Sequence, residues 1–134
     1  MPRQISTFLM FDGKAEEALQ FYTSLFKGSE VCSIEKYGDG EMGAKGSVKH
    51  ATFKLAGHEM ACIDSPTKHA FTFTPSTSLF VQCHDEAEFD QTFAALSEGG
   101  GILMPPGNYG FSAKFVWLND RYGVSWQLNL EDAP

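Results

Sequence analysis

LMFDGKAEEALQFY, residues 9–22, contains a change of hydrophobic period that decides the fold. Leu9, Met10 and Phe11 close an apolar run that begins at Ile5, and Asp12-Gly13 is a turn pair. From Ala15 the apolar residues Ala18, Leu19 and Tyr22 recur at three-and-four spacing, while Glu16, Glu17 and Gln20 fall mostly off that stripe. A short strand therefore runs into an amphipathic helix, with acidic residues in the first turn where the helix dipole favours them. Phe21 widens the stripe, Leu25 and Phe26 extend it, and Gly28 ends the helix.

Three strand-like runs follow, Val31 to Tyr37, Val48 to Leu55 and Glu59 to Asp64. The glycine-rich stretch Gly38 to Gly46 and the tight turn Ala56-Gly57-His58 separate them, as in a meander. Residues 65–77 hold two prolines and many small polar residues and read as a connector. The order then starts again. Ser78 to Cys83 is a strand, and His84-Asp85-Glu86 opens a helix to about Ser97 with Phe89, Phe93 and Leu96 on one face. Gly99 to Gly101 end that helix, and Ile102 to Met104, Ala113 to Asn119 and Val124 to Leu130 are three more strands. Pro105 to Gly110 reads as a loop and Asp120 to Gly123 as a tight turn.

Phe11 thus matches Cys83, and Gly28 matches Gly99 or Gly100. The expected class is α+β: a single domain over residues 1–134 built from two βαβββ modules, module one about 1–64 and module two about 78–134. Two such modules, each burying one sheet face under its helix, form a curved mixed sheet or incomplete barrel. A concave face of that kind is where a small molecule binds.

Bulk properties narrow the partners. Hydrophobic residues make up 43% of the 134 and charged residues 20%, a globular balance in a chain of one-domain length. The formal net charge of −7 without any cluster of Lys and Arg argues against nucleic acid. No apolar run approaches the roughly 20 residues a membrane helix needs, and Met1 to Phe11 lacks the pattern of a signal peptide, so a cytoplasmic protein without membrane contact is expected. Cys32, Cys62 and Cys83 are odd in number, form no CxxC pair and sit in apolar runs, which reads as buried, reduced thiols. Cys83 adjoins His84, but adjacent strand residues point to opposite faces.

Residues 9–22, together with DRYGVSW at 120–126, resemble the PhnB-like branch of the vicinal oxygen chelate superfamily, the glyoxalase and bleomycin-resistance fold. That branch is also labelled demethylubiquinone methyltransferase-like. Val48-Lys-His-Ala51, the strand-closing Asp64 and Leu96-Ser-Glu-Gly-Gly100 match its pattern too, so the resemblance spans nearly the whole chain. It implies paired βαβββ modules, commonly in a homodimer, on a fold that hosts isomerases, dioxygenases and resistance proteins. No glycine-rich loop follows a strand of a parallel sheet, the usual seat of a methyl-donor nucleotide. The resemblance also implies metal ligands on the first and last strands of each half, and the matching positions are Ser6, Ala61, Ser78 and Gln127. Only Gln127 is a metal-ligand candidate, and one neutral amide oxygen does not hold a divalent ion, so no metal or other cofactor is expected.

Strand alternation supplies the candidate ligand residues. Val124, Trp126 and Leu128 share one face of the last strand, and Ser125, Gln127 and Asn129 the other. Ser78, Phe80 and Gln82 form a similar mixed row on the first strand of module two. Such rows line a ligand cleft or face solvent on an open sheet. His50 lies on a strand, structural or facing the cleft, and His69 lies in the connector near Phe71 and Phe73, where a loop can act as a lid. His58 and His84 are expected to be exposed. Asp64 is expected to serve as a turn residue beside Ser65-Pro66. Trp117 and Trp126 read as core, and Gly38 to Gly46 as a mobile hairpin loop and not a phosphate loop. The favoured function is metal-free binding of a small organic molecule. The alternative is a divergent enzyme of the same fold, its metal completed by a partner chain or replaced by an acid-base pair such as His50 with Asp64.

Overall fold

The structure is a computed structural model and describes residues 2–132. Its elements are β1 (Thr7–Phe11), α1 (Ala15–Leu25), β2 (Glu30–Lys36), β3 (Val48–Leu55), β4 (His58–Asp64), β5 (Leu79–Gln82), α2 (Glu86–Ser97), β6 (Gly101–Gly107), β7 (Lys114–Asn119) and β8 (Ser125–Leu130). Residues 1–70 and 71–134 make two compact units. Each unit is one βαβββ module, with strand orders β1-β4-β3-β2 and β5-β8-β7-β6. The first strand of each module pairs in parallel with the last, and the other neighbours pair antiparallel. The α+β class and the duplicated order read from the sequence are both present.

In unit one, alternation turns Leu9 and Phe11 of β1, Ala51, Phe53 and Leu55 of β3, and Met60 and Cys62 of β4 toward α1, which buries Ala15, Ala18, Leu19 and Tyr22 against them. Full burial of one such Leu or Phe side chain contributes about 1.5–3 kcal/mol. The hairpin from Leu55 to His58 turns through Ala56 and Gly57 at φ 49° and 87°, the paired left-handed residues a two-residue turn needs. Unit two repeats the scheme, with Val116, Leu118, Trp126 and Leu128 on the helix side of the sheet and Phe89, Thr92 and Leu96 of α2 buried over them. At Gly100 an added Cβ would lie 2.1 Å from the Asn119 carbonyl oxygen, so only glycine fits where the chain leaves α2.

The structure corrects three expectations on the fold. Strand β6 runs through Pro105 and Pro106 to Gly107, where the sequence suggested a loop. It is an edge strand with register shifts at Ile102/Met104 and Met104/Gly107, and the missing proline N–H groups cost an edge strand little. Cys32 is exposed on β2, unlike the buried Cys62 and Cys83. The glycine-rich loop closes the β2–β3 hairpin as expected, with an exposed Glu41–Lys49 ion pair at 2.6 Å and Glu41 accepting from the Gly38 N–H at 2.7 Å. Finally, Asp64 is no turn residue. Its Oδ1 accepts from the N–H groups of Gly13 (2.8 Å) and Ala15 (2.9 Å), and its Oδ2 accepts from that of Val48 (2.9 Å), all on the helix side of the sheet.

Candidate functional site

Six of the eight candidate residues come together on the side of the second sheet that faces away from α2. The pairs Phe80↔Gln127 and Trp117↔Gln127 place an aromatic ring on either side of the Gln127 amide. Gln82 pairs with Asn129, and Phe115 pairs with Asn129 from the other strand. The same face therefore carries Ser78, Phe80 and Gln82 at β5, Ser125, Gln127 and Asn129 on β8, and Phe115, Trp117 and Asn119 on β7. None of these nine is charged.

Hydrogen bonds fix much of this face. The Trp117 indole N–H donates to Ser125 Oγ at 2.9 Å, and Ser125 Oγ lies 2.7 Å from Ser78 Oγ. Asn129 Nδ2 donates to Gln82 Oε1 at 3.0 Å. Ser125 and Asn129 are buried at 2% and 5% exposure, whereas Phe80 is 52% exposed and Gln127 half-buried. Two buried amide oxygens, Asn119 Oδ1 and Asn129 Oδ1, have no hydrogen-bond partner among the described residues. A buried acceptor without a donor is uncommon in folded proteins, where an ordered water, an ion or another group usually meets it. Beside Asn129, Phe111 and Tyr109 pack on Phe115 with centroid separations of 5.0 and 6.0 Å, and both leave ring surface exposed.

At the end of β5 and β8 an open depression of about 640 Å³ is lined by Gln82, Cys83, His84, Leu130, Glu131 and their neighbours. Its acids disfavour an anion. The Cys83 thiol there is pushed up to about 11, first by burial and then by the nearby carboxylates of Glu88 and Asp85, so it is no nucleophile. Burial and Asp64 push the Cys62 thiol further, to about 12.

His50 and His69 belong to the other unit. His50 is exposed on β3, and Glu35 stands opposite it on β2. His69 Nε2 lies 2.9 Å from Ser65 Oγ in the connector. His50 does not form an acid-base pair with Asp64. Alternation puts His50 on the face away from α1 and Asp64 on the face toward it, and both Asp64 oxygens are committed to backbone N–H groups. His58 and His84 are exposed as expected. Trp126 is core, its indole N–H donating to Asp120 Oδ2 at 2.8 Å, but Trp117 stands on the polar face.

The donor set does not fit the divalent metal that the fold implies. Among the described residues no three of His, Cys, Asp and Glu gather in metal-binding geometry. At the four matching positions stand two serines, an alanine and Gln127, with no formal negative charge, and the Ser78 hydroxyl is already bonded to Ser125. No chemical step is derived through a metal.

Sequence reasoning missed Asn119, Phe115, Phe111 and Tyr109. Asn119 and Phe115 were within reach, since both share a parity with Trp117, but the register of β7 against β8 was needed to choose the side. Nothing local to Tyr109 or Phe111 announces packing on Phe115.

The family model described as 3-demethylubiquinone-9 3-methyltransferase matches residues 3–129. A PhnB protein from Bacillus cereus is 58% identical with a TM-score of 0.93, over 96% of this chain and 99% of that one. Protein PA1353 from Pseudomonas aeruginosa is 28% identical with a TM-score of 0.85, over 98% of this chain and 100% of that one. A fosfomycin resistance protein, FosX, from Mesorhizobium loti shares the fold at 14% identity and a TM-score of 0.61, over 98% of this chain and 95% of that one. None of the curated proteins matches the chain.

Proposed function

This chain belongs to the family described as 3-demethylubiquinone-9 3-methyltransferase, in its PhnB-like branch with the glyoxalase and bleomycin-resistance-like fold, and from that premise we propose that it binds or sequesters a small organic molecule without a metal. The ligand lies on the face of the second sheet that carries Ser78, Phe80, Gln82, Ser125, Gln127 and Asn129. His50 and His69 of unit one remain candidate contacts. The observation that carries the reading is the uncharged, hydrogen-bonded polar row flanked by exposed aromatic surface, with two buried amide oxygens left without donors. A preorganised polar row inside apolar walls is the usual make-up of a small-molecule site. The reading does not include methyl transfer, for which the sequence offers no glycine-rich nucleotide loop after a strand of a parallel sheet.

The proposal includes a cytoplasmic homodimer in which each chain acts as one domain. Three free cysteines suit a reducing compartment, and no helix among the described residues is long and apolar enough to cross a membrane. Dimerisation follows the habit of the superfamily.

A thermal-shift screen of a broad library of small organic molecules tests the reading, because a ligand that binds only the folded state raises its melting temperature. Stabilisers are expected, and their effect is expected to shrink in Phe80→Ala and Gln127→Ala, whose side chains are exposed or half-buried and leave the unliganded melting temperature nearly unchanged. A library without a stabiliser, or stabilisers indifferent to both substitutions, contradicts it.

A further inference from the structure

The pattern of donors and acceptors on the second sheet specifies a class of ligand. An indole N–H only donates, so Ser125 Oγ accepts from Trp117. Either hydroxyl can be the donor between Ser125 Oγ and Ser78 Oγ at 2.7 Å, and the arrangement that satisfies the buried Ser125 proton has Ser125 donating to Ser78. That leaves the Ser78 proton pointing away from the chain of bonds, as a donor at the margin of the face. The Asn129 amide gives its N–H to Gln82, which leaves its Oδ1 buried without a donor, and Asn119 Oδ1 is in the same condition. Gln127, between Phe80 and Trp117, makes no side-chain hydrogen bond to a described residue and offers both an N–H and a C=O. Two unmet acceptor oxygens, the Ser78 hydroxyl, the two-way amide of Gln127 and the further amide N–H groups of Gln82, Asn119 and Asn129 thus surround aromatic surface, and no ionisable group of the described residues stands among them.

Resting on the small-molecule reading above, we infer that the ligand is a neutral, flat ring system carrying an N–H beside a C=O, as in an aromatic lactam or carboxamide. Its ring lies against Phe80 and Trp117, and its N–H meets one of the orphaned oxygens of Asn119 and Asn129 once the side chains that shield that oxygen from solvent turn aside. Its carbonyl accepts from Ser78 or Gln127. Among the described residues the face has no cation to hold a carboxylate or phosphonate, and the acids of the neighbouring depression repel one. A plain hydrocarbon leaves both oxygens without donors.

Titration calorimetry with four probes tests this on the intact chain: 2-quinolone, N-methyl-2-quinolone, naphthalene-2-carboxylate and naphthalene. Side-chain N–H resonances of Trp117, Gln127 and Asn129 are followed in parallel. The lactam is expected to bind at least about tenfold more tightly than its N-methyl derivative, the ratio that one buried acceptor without a donor produces. The carboxylate and the hydrocarbon are expected to be weaker still. Asn129→Leu is expected to bring the two quinolones toward equal affinity, and Phe80→Ala to weaken both alike. Should Asn129→Leu fail to fold, the N-methyl comparison in the unaltered chain decides alone. Equal or tighter binding of the carboxylate or hydrocarbon, moving the same resonances, overturns the ligand class and leaves the site standing. Silence from all four probes overturns the class as well, and the site itself falls only if the broad library also moves none of these resonances.

Discussion

The two modules share one topology but hold their helices differently. Helix α1 has Lys14 at its start, whose side chain caps nothing, and its first N–H groups are met by Asp64, about fifty positions along the chain at the far end of β4. Helix α2 caps itself: Asp85 accepts from the Glu88 N–H at 2.8 Å, and Glu88 reaches back to the His84 N–H, also at 2.8 Å. The register that sets Phe11 opposite Asp64 in module one sets Leu130 beside Cys83 in module two, so an apolar residue occupies the place of the capping acid. Unit one has a long-range polar clamp where unit two has a local one. Unit two keeps its own buried acid on the helix side, Asp120, which accepts from the N–H groups of Tyr122, Val124 and Trp126, and it carries a second polar set on the other side of its sheet, on the proposed ligand face.

The largest effect expected from this contrast is at Asp64. Asp64→Ala leaves the buried N–H groups it serves without an acceptor and is expected to lower stability by about 3–5 kcal/mol in urea unfolding. Asp85→Ala, the matching change in unit two, removes one exposed cap and is expected to cost about 1 kcal/mol. Equal losses at the two positions would break the comparison.

The thiols sharpen it next. Burial raises Cys62 in unit one to about 12 and Cys83 in unit two to about 11, from an ordinary value of 9.0. Both folded thiols hold their protons more tightly than in the unfolded chain, so their contribution is complete below pH 9.0 and is lost as the pH rises toward the folded values. Urea midpoints are expected to decline above that pH, and more gently in Cys62→Ala. Cys32, exposed on its strand, is expected to be the thiol that a disulfide reagent labels quickly at neutral pH.

The smallest effect is at Ala56, a non-glycine residue at φ 49° in the β3–β4 hairpin of unit one. Ala56→Gly relieves the left-handed strain but gives the unfolded chain more freedom, and a net gain of roughly 0.5 kcal/mol is expected in urea unfolding. A loss would mean that the hairpin tolerates alanine without strain.

The same contrast explains what the sequence made legible. Period changes at residues 9–22 and 78–97 marked both strand-to-helix units, and β3 was read to its exact ends, because local apolar spacing governs those segments. The parity of β8 correctly separated Trp126 and Leu128 from Gln127 and Asn129. The clamp at Asp64 escaped notice because its partners Gly13, Ala15 and Val48 are distant in sequence. Its parity with the inward-facing Met60 and Cys62 was the available clue. Asn119 and the Tyr109–Phe111–Phe115 cluster depend on cross-strand register and loop packing, which spacing alone does not encode.

The two tryptophans stand on opposite sides of the second sheet and make the most direct test of the proposed face. With a stabiliser from the library bound, the indole N–H resonance of Trp117 is expected to move as the ligand settles beside Gln127, while that of Trp126, bonded to Asp120 on the helix side, stays in place. Movement of Trp126 alone, or of neither while binding is saturated, would contradict the account and place the ligand elsewhere on the molecule.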